Sequence, residues 1–199
     1  MRRIMMFNRV SADGYFAAPD GNLNWVVPDD ELDKAGADAS PHADTVLFGR
    51  RTYEMFASFW PHVLEDSSTA PDPHHAGRRS PAMLAMAKML NEAKKVVFSK
   101  TLKEATWNNT RVVREFDPKV IEALKKEPGK GIIIFGSGSI VSQLTEHGLI
   151  DEYQFIVNPV FLGKGKSLIS GLPNTSRVSL LEAKPYKSGN VMLRYSCAN

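Results

Sequence analysis

The sequence has a single cysteine, Cys197, which excludes an intramolecular disulfide and any multi-thiolate metal or iron–sulfur site. It also has no run of about 18 apolar residues, so we expect no membrane-spanning helix. The charge balance is mild, since 25 basic and 22 acidic residues leave a net charge of +3. That excess does not indicate a nucleic-acid-binding protein, although it allows local basic clusters for a small anionic ligand.

The composition is that of an ordinary globular protein, and 199 residues predict one domain over 1–199. The amino-terminal segment has a basic start but no sustained apolar core, so we expect no signal peptide and a cytoplasmic protein. Residues 61–80 are rich in proline and histidine, which predicts a long surface loop. We predict no metal site, because His62, His74 and His75 in this loop lack metal-ligand spacing.

Strand and helix patterns alternate along the chain. Short apolar runs such as IIIF at 132–135 are typical of central strands covered on both faces. We predict strands over 4–10, 45–48, 96–99, 111–114, 131–135, 151–160, 177–184 and 191–196. We predict helices at about 29–39, 52–58, 81–92, 118–126 and 139–147. The fold class is therefore α/β, with a mostly parallel central sheet and an antiparallel C-terminal hairpin.

The predicted strand 131–135 ends in Gly136-Ser137-Gly138-Ser139-Ile140 and runs into a helix. Glycines allow a ligand to approach the backbone closely, and a helix N-terminus attracts phosphate. The segment is a candidate pyrophosphate site, and the alternative is a tight turn without a ligand. It is not a Rossmann fingerprint, because Val141 stands at the third glycine position.

Two further buried strands end in residues that suit phosphate. One runs into Gly49-Arg50-Arg51-Thr52 at a helix start, and the other ends in Ser99-Lys100-Thr101. Guanidinium groups match phosphate oxygens, although two solvated loop arginines are the alternative interpretation. Ligands of open α/β sheets bind beyond the carboxyl ends of the strands. The three strand ends together predict a dinucleotide across the sheet edge, with an additional phosphate near Arg50, Arg51, Ser99 or Lys100.

Six motifs occur in the order seen in one known family. They are SADGYFA (11–17), GRRTYE (49–54), SKTL (99–102), GSGSI (136–140), GLIDEY (148–153) and NPVFLGKGKSL (158–168). Together they resemble the RibD C-terminal-domain family of the dihydrofolate-reductase-like superfamily, which forms the reductase part of the bifunctional deaminase-reductase of riboflavin synthesis. The resemblance extends over about residues 4–196 and implies a three-layer α/β/α fold.

The resemblance implies an NADPH-dependent reductase and a homodimer. By position, the residues assigned to the cofactor are Ala12, Gly49, Arg50, Arg51, Thr52, Ser99, Lys100, Thr101, Gly136, Ser137, Gly138, Ser139 and Ile140. Ser99 and Lys100 are assigned to the ribose 2′-phosphate, and Ala12 begins the loop that closes over the nicotinamide. Asp13, Tyr15 and Trp25 are assigned to the substrate side.

The proton comes from water or from one of three candidate acids, Asp30, Asp33 and Glu54. In dihydrofolate reductases an acid early in the second structural element hydrogen-bonds the pterin. Counting forward from Trp25 selects Asp30 for this position, and counting back from Gly49 selects Asp33. We expect no deaminase activity, because its zinc-binding His-x-Glu and Pro-Cys-x-x-Cys signature is absent. The leading function is a reductase that resembles 5-amino-6-(5-phosphoribosylamino)uracil reductase. The alternatives are a dihydrofolate reductase and a nucleotide-binding or regulatory protein without turnover.

Overall fold

The structure is a computed structural model that describes residues 1–39, 42–65 and 80–197. Its strands are β1 (Ile4–Ser11), β2 (Tyr15–Ala17), β3 (Ala43–Gly49), β4 (Lys94–Phe98), β5 (Thr110–Val113), β6 (Gly131–Phe135), β7 (Glu152–Asn158), β8 (Lys166–Ser167), β9 (Val178–Pro185) and β10 (Val191–Cys197). Its α-helices are α1 (Asp30–Ala39), α2 (Arg50–Ala57), α3 (Pro81–Glu92), α4 (Pro118–Lys126) and α5 (Gly138–Glu146). A 3-10 helix spans Trp60–Leu64.

Eight strands form one sheet in the order β5-β4-β3-β6-β1-β7-β10-β9. Neighbours from β5 to β7 are parallel, whereas β10 pairs antiparallel with β7 and with β9. The predicted α/β class and the antiparallel C-terminal hairpin are therefore confirmed. β2 and β8 pair in a separate two-stranded sheet that the sequence analysis missed. Both strands are too short for a visible hydrophobic period.

The central strands are covered on both faces, as their continuous apolar runs predict. On β6, Ile134 lies in the core that contains Leu144 of α5. The next side chain along the strand, Ile133, points to the opposite face and lies in the core that contains Leu90 of α3. This alternation places helices on both sides of the sheet and produces the three-layer architecture.

Two of the predicted helices have side-chain caps at their N-termini. The Ser80 hydroxyl accepts a hydrogen bond from the Met83 amide at 3.1 Å, ahead of α3. The Asp117 carboxylate accepts one from the Lys119 amide at 2.9 Å, ahead of α4. Each cap precedes a proline in the first turn of its helix. The predicted 61–80 loop begins inside the 3-10 helix, and residues 66–79, with His74 and His75, lie outside the described residues.

A fully buried lysine, Lys95, joins the end of α3 to β4. Its Nζ donates hydrogen bonds to the carbonyl oxygens of Leu90 and Ala93, both at 2.8 Å. The same atom lies 4.5 Å from the ring centroid of Trp107. Burial lowers the pKa of Lys95 from 10.5 to about 8.

Candidate functional site

Three neighbouring strands, β4, β3 and β6, end at the same edge of the sheet. They are parallel, with Gly49 level with Phe98 and with Leu47 level with Ile134. α2 begins at Arg50 and α5 at Gly138, so two helix N-termini lie at this edge. Unpaired amides and the helix dipole favour anions at such positions. The three segments that the sequence assigned to phosphate are therefore adjacent.

The turn between β6 and α5 is held by hydrogen bonds from the interior. The Gly136 amide donates to Asn8 Oδ1 at 2.7 Å, and the Ser137 amide donates to Thr52 Oγ1 at 3.0 Å. The Ser137 hydroxyl accepts from the Gly49 amide and donates to the Phe135 carbonyl, both at 2.9 Å. The Ser137 and Thr52 side chains therefore support the shape of the turn.

The backbone of this turn requires glycine and stays close to its neighbours. Gly136 has φ +51°, and a Cβ there would lie 2.9 Å from Thr52 Oγ1. Ser137 is also left-handed, with φ 57° and ψ 42°, and its side chain does not cap α5. A Cβ at Gly138 would lie 3.1 Å from the ring of Phe16. The start of α5 thus presents main-chain amides next to an aromatic ring of the 11–17 segment. Ile140, in contrast, is buried in the core.

A basic cluster, formed by Arg50, Arg51 and Lys100, lies at the ends of β3 and β4, and all three side chains are exposed. Arg50 donates to Thr101 Oγ1 at 2.6 Å and to Glu54 at 2.7 Å, so the candidate acid Glu54 lies next to this cluster. Lys100 pairs with Glu115 at 3.3 Å across an exposed surface. Exposed pairs of this kind are weak, so an incoming phosphate can compete for these cations.

Ser99, which the resemblance assigned to the 2′-phosphate, is mostly buried. Its Oγ accepts hydrogen bonds from the Leu102 amide at 2.9 Å and from the Thr101 amide at 3.3 Å. The hydroxyl thus holds the turn that carries Lys100 and Thr101. In this structure the buried Ser99 hydroxyl supports the turn next to the basic cluster.

The loop after β1 is fastened to the 158–168 segment by Asp13. The Asp13 carboxylate accepts hydrogen bonds from the Ser11 hydroxyl at 2.6 Å and from the Gly163 amide at 2.7 Å. These bonds, with the Ser11 bond as the largest effect, lower the pKa of Asp13. The exposed Ala12 adds a main-chain hydrogen bond to Val160 at 2.8 Å. Asp13 therefore ties the loop after β1 to the 158–168 segment.

A cavity of about 160 Å³ lies on the α1 face of the sheet, beside the ends of β1 and β6. Its aromatic lining comes from Phe7, Phe56, Trp60 and Phe135. Planar heterocycles stack on aromatic rings, which offer a large contact area and a quadrupole with a negative face. The aromatic part of the lining therefore suits a flat ring.

One ion pair faces this aromatic cavity. Arg9 donates to Asp33 Oδ1 at 2.7 Å, with 14% of the Arg9 side chain and 26% of the Asp33 side chain exposed. Burial lowers the pKa of Arg9, and the charges of Asp33 and Asp29 oppose that shift. A buried guanidinium and a carboxylate offer a donor and an acceptor to a bound ring.

The other candidate residues lie outside the lining of this cavity. Asp30 is exposed in the first turn of α1, and Glu54 pairs with Arg50. Tyr15 lies on β2, where its Cβ would be 2.8 Å from a Cβ at Gly165. The indole nitrogen of Trp25 is buried and has no hydrogen-bond partner among the described residues. Of the acids predicted from the sequence, the structure therefore brings Asp33 to the cavity.

The model of the RibD C-terminal domain matches residues 2–192. The chain belongs to the RibD C-terminal domain family. YyaP of Bacillus subtilis (strain 168), an uncharacterized protein, is 28% identical over 198 residues, which cover 98% of this chain and 94% of YyaP. The predicted family is thereby confirmed.

Solved structures show the same RibD-type fold. A Shewanella sp. PV-4 protein named for riboflavin biosynthesis has a TM-score of 0.74 at 19% identity, and the match covers 99% of each chain. Dihydrofolate reductase from Enterococcus faecalis, complexed with NADP(H), has a TM-score of 0.59 at 12% identity, with 99% of this chain and 97% of that chain covered. These similarities confirm the predicted dihydrofolate-reductase-like architecture.

The sequence analysis missed two polar residues of β1 that lie at this candidate site. Asn8 positions the Gly136 amide, and Arg9 holds Asp33. The sequence offered only a weak signal for these two roles, because Asn8 and Arg9 are polar residues within an apolar strand that leads to the predicted loop. Within the described ranges, no helix is long and apolar enough to cross a membrane. Those same ranges contain no group of three or more His, Cys, Asp or Glu residues placed to hold a metal ion.

Proposed function

We propose that this protein is an NADPH-dependent reductase that transfers a hydride to a C=N or C=O bond of a heterocyclic or ribosylamino substrate. One observation carries the proposal: three parallel strand ends, two helix N-termini and the basic cluster lie at one sheet edge, and Phe135 at the end of β6 lines the cavity that holds Arg9 and Asp33. Helix N-termini and guanidinium groups are strong phosphate ligands. The NADP(H) complex of the Enterococcus faecalis dihydrofolate reductase supports this assignment.

The residues at the sheet edge fit a dinucleotide. Glycine is required at 136 and 138 because a Cβ would meet Thr52 at the first and Phe16 at the second, and this tight turn brings the first amides of α5 to the sheet edge. The first amides of α5 hold the pyrophosphate, and Arg50, Arg51 and Lys100 hold the phosphates of the adenine half. When bound, the nicotinamide supplies the hydride.

The chain's own groups orient the substrate and handle its proton. Asp33 accepts a hydrogen bond from a ring N–H and relays a proton from water to the reduced bond. Arg9 fixes that carboxylate through the 2.7 Å bond to Oδ1. Phe56 and Trp60 pack on the ring and exclude water from the reacting face. The 11–17 segment, fastened by Asp13, closes the cofactor side.

The substrate has two candidates within this chemistry. Family membership favours a ribosylaminopyrimidine like the substrate of 5-amino-6-(5-phosphoribosylamino)uracil reductase. Dihydrofolate is the second candidate, because Asp33 lines the cavity from the first helix, where dihydrofolate reductases place the acid that bonds the pterin. A nucleotide-binding protein without turnover is the alternative from another class.

Titration with NADPH and NADH, followed by assays on pterins and ribosylaminopyrimidines, tests the proposal. We expect NADPH to bind at least about tenfold more tightly than NADH and to be oxidised by one compound of the panel. Arg50→Ala removes a charge-assisted contact worth about 1.5–3 kcal/mol. It is therefore expected to weaken NADPH at least about tenfold and to leave NADH nearly unchanged. Ser99→Ala is expected to show the same selectivity through the turn that it holds.

Lys94→Ala is the matched control, since this exposed cation begins β4, at the opposite end of that strand from the basic cluster. It should change neither affinity. Equal losses of NADPH and NADH in Arg50→Ala would contradict the 2′-phosphate assignment. Failure of the wild type to bind either coenzyme would overturn the reductase, and binding without oxidation of any compound would favour the non-enzymatic alternative.

We also propose that the protein is a homodimer in the cytoplasm, as the family resemblance implies. The edge strand β9 supports this proposal, because Leu180 and Leu181 are 57% and 51% exposed on it. Exposed apolar edge strands are prone to pair with another chain. Light scattering is expected to give twice the chain mass of 22.1 kDa. Leu180→Lys is expected to shift the protein towards monomer, and a monomeric wild type would contradict the proposal.

A further inference from the structure

The chain segment that leads into α1 is fixed by polar side chains from three parts of the sheet. The Val27 amide donates to Oδ1 of Asn158 on β7 at 2.9 Å. The Val27 carbonyl oxygen accepts from Nδ2 of Asn190, in the turn before β10, at 3.1 Å and from Nη1 of Arg9 on β1 at 3.4 Å. Asn158 and Asn190 are completely buried. The main chain two residues ahead of Asp29 is therefore anchored at both its amide and its carbonyl.

Asp29 ends this segment and connects it to the C-terminal hairpin. It is 9% exposed, and its Oδ1 accepts a hydrogen bond from the Leu32 amide at 2.9 Å, so the side chain caps α1. Its Oδ2 accepts from the hydroxyl of Ser188, in the turn between β9 and β10, and its main-chain oxygen accepts from the Asp33 amide at 2.9 Å. Burial raises the pKa of Asp29, but the hydrogen bonds from Ser188 and from main-chain amides outweigh burial and leave the pKa below its ordinary value. Asp29 is therefore a buried carboxylate at neutral pH.

The turn between β9 and β10 is organised around this contact. Ser188 Oγ accepts from the Asn190 amide at 3.2 Å and from Asn190 Nδ2 at 3.0 Å, which leaves the Ser188 proton for Asp29. Asn190 Oδ1 is buried and has no hydrogen-bond partner among the residues that the structure describes. An unpaired buried acceptor costs free energy, so the Asn190 side chain is oriented for its two donor bonds, to Val27 and to Ser188. The turn therefore supports Asp29 in addition to reversing the chain.

Asp29 is a second carboxylate that acts on Arg9. The Arg9 guanidinium bonds Asp33 Oδ1 directly at 2.7 Å. Burial lowers the pKa of Arg9, and the negative charges of Asp33 and Asp29 both oppose that shift. Removing a charge that compensates a buried ion destabilises that ion in its place. Asp29 lies outside the lining of the aromatic cavity, so it affects the cavity through Arg9 and Asp33.

We propose that Asp29 is a positioning residue of the reductase site. Anchored by Ser188, it holds the Arg9 guanidinium and the first turn of α1, so that Asp33 keeps its orientation in the aromatic cavity. Asp29 supplies a fixed charge and a fixed helix start, whereas Asp33 contacts the substrate ring. This inference rests on the proposed reductase function, because that function gives Asp33 its part in the proton transfer.

Nuclear magnetic resonance of the full chain tests the effect on Arg9 without any substrate. The guanidinium signals of Arg9 are assigned by their loss in Arg9→Lys. The variant Asp29→Asn still caps α1, because asparagine is as good a helix cap as aspartate, but it lacks the charge. We expect the Arg9 guanidinium protons of Asp29→Asn to shift and to exchange with solvent at least about tenfold faster, since local opening becomes easier.

Steady-state kinetics with the best substrate of the panel tests the effect on Asp33. Asp29→Asn is expected to lower kcat at least about tenfold, because a small misplacement of a reacting group can cost about 100-fold. The Kd for NADPH should stay within about twofold, since the hydrogen bonds around Asp29 include none of the three cations of the basic cluster. In the Asp33→Asn background the same change is expected to alter kcat less than about twofold, because the group through which Asp29 acts is already lost. Ser188→Ala keeps the charge and loses the anchor, so it is expected to lower kcat about three- to tenfold.

Glu31→Gln is the matched control for both measurements. Glu31 carries the same charge in the same first turn of α1, but it pairs with Lys184 at 3.0 Å on an exposed surface. The Arg9 signals of this variant should match those of the wild type, and its kcat should stay within about twofold. Changes as large as those of Asp29→Asn would mean that any charge of this turn acts on Arg9, and the inference would be wrong.

Unchanged Arg9 signals in Asp29→Asn would overturn the inference and, where NADPH is still oxidised, leave the reductase in place. An equal loss of kcat in the wild-type and Asp33→Asn backgrounds would also overturn it, because Asp29 would then only support the fold. Shifted Arg9 signals in a protein that reduces no compound of the panel would overturn the reductase and leave the positioning of Arg9 by Asp29 in place.

Discussion

Asp33→Asn is expected to lower kcat/KM about 100-fold or more with the best substrate of the panel, while the Kd for NADPH stays within about twofold. The expectation follows from the position of Asp33 in the aromatic cavity, where Arg9 fixes its carboxylate. A positioned acid or base contributes about 100- to 10,000-fold to a proton transfer. Asparagine keeps the shape of the side chain and cannot hold the proton.

Asp30→Asn is the matched control for this prediction. Asp30 lies one helical turn before Asp33 on α1, and it is exposed and outside the lining of the cavity. We expect its kcat/KM to stay within about twofold of the wild type. Similar losses in both variants would show that the charge of the helix start matters, and the assignment of the proton to Asp33 would be wrong. An unchanged Kd for NADPH in each variant shows that the fold is intact.

Glu54→Gln tests whether the third candidate acid, Glu54, takes part in the proton transfer assigned to Asp33. Because Glu54 bonds Arg50 at the basic cluster, this variant is expected to change coenzyme affinity more than kcat. A loss of kcat as large as that of Asp33→Asn, with NADPH affinity unchanged, would place Glu54 in the chemistry.

The central sheet was predictable from the sequence because its signals are local. The run IIIF at 132–135 marks a strand buried on both faces, and Ser80 and Asp117 mark helix starts through their own hydrogen bonds. β2 and β8 were not predictable, since each depends on pairing with a segment about 150 residues away in the chain. A three-residue strand has no period of its own.

The residues of the candidate site also differ in whether local sequence signals reveal them. The glycines and cations at the strand ends could be found, because their residue types carry the chemistry. The sequence could not show that the hydroxyls of Ser99 and Ser137 accept hydrogen bonds from the main chain of the protein. A serine that binds phosphate and a serine that caps a turn have the same sequence signature. The partnership of Arg9 with Asp33 joins residues 24 positions apart, and only the fold reveals it.

Raising the pH from 8 to 10 is expected to stabilise the wild type relative to Lys95→Met by about 2–3 kcal/mol, at about 1.4 kcal/mol per pKa unit. Burial lowers the pKa of Lys95 to about 8, whereas the unfolded chain keeps the ordinary value of 10.5. Between these values the unfolded state holds a proton that the folded state has released. Stability rises with pH wherever the unfolded state binds more protons.

Urea unfolding of both proteins at pH 7, 8, 9 and 10 measures this difference. Lys94→Met is the matched control, because Lys94 is the exposed neighbour on the same strand. Its difference from the wild type should not change with pH. The range stops at pH 10 because burial raises the pKa of Tyr153 to about 12. Above pH 10 the folded state keeps the Tyr153 proton that the unfolded state loses, so Tyr153 makes stability fall as the pH rises.

Two opposing effects act on the pKa of Lys95. The carbonyl groups of Leu90 and Ala93 and the face of Trp107 stabilise the ammonium form, while complete burial disfavours it. A stability difference that rises with pH means that desolvation outweighs these contacts and that the folded protein carries a neutral amine at pH 9. A difference that stays constant from pH 8 to pH 10 would mean that the contacts retain the proton, and the lowered pKa of Lys95 would be wrong.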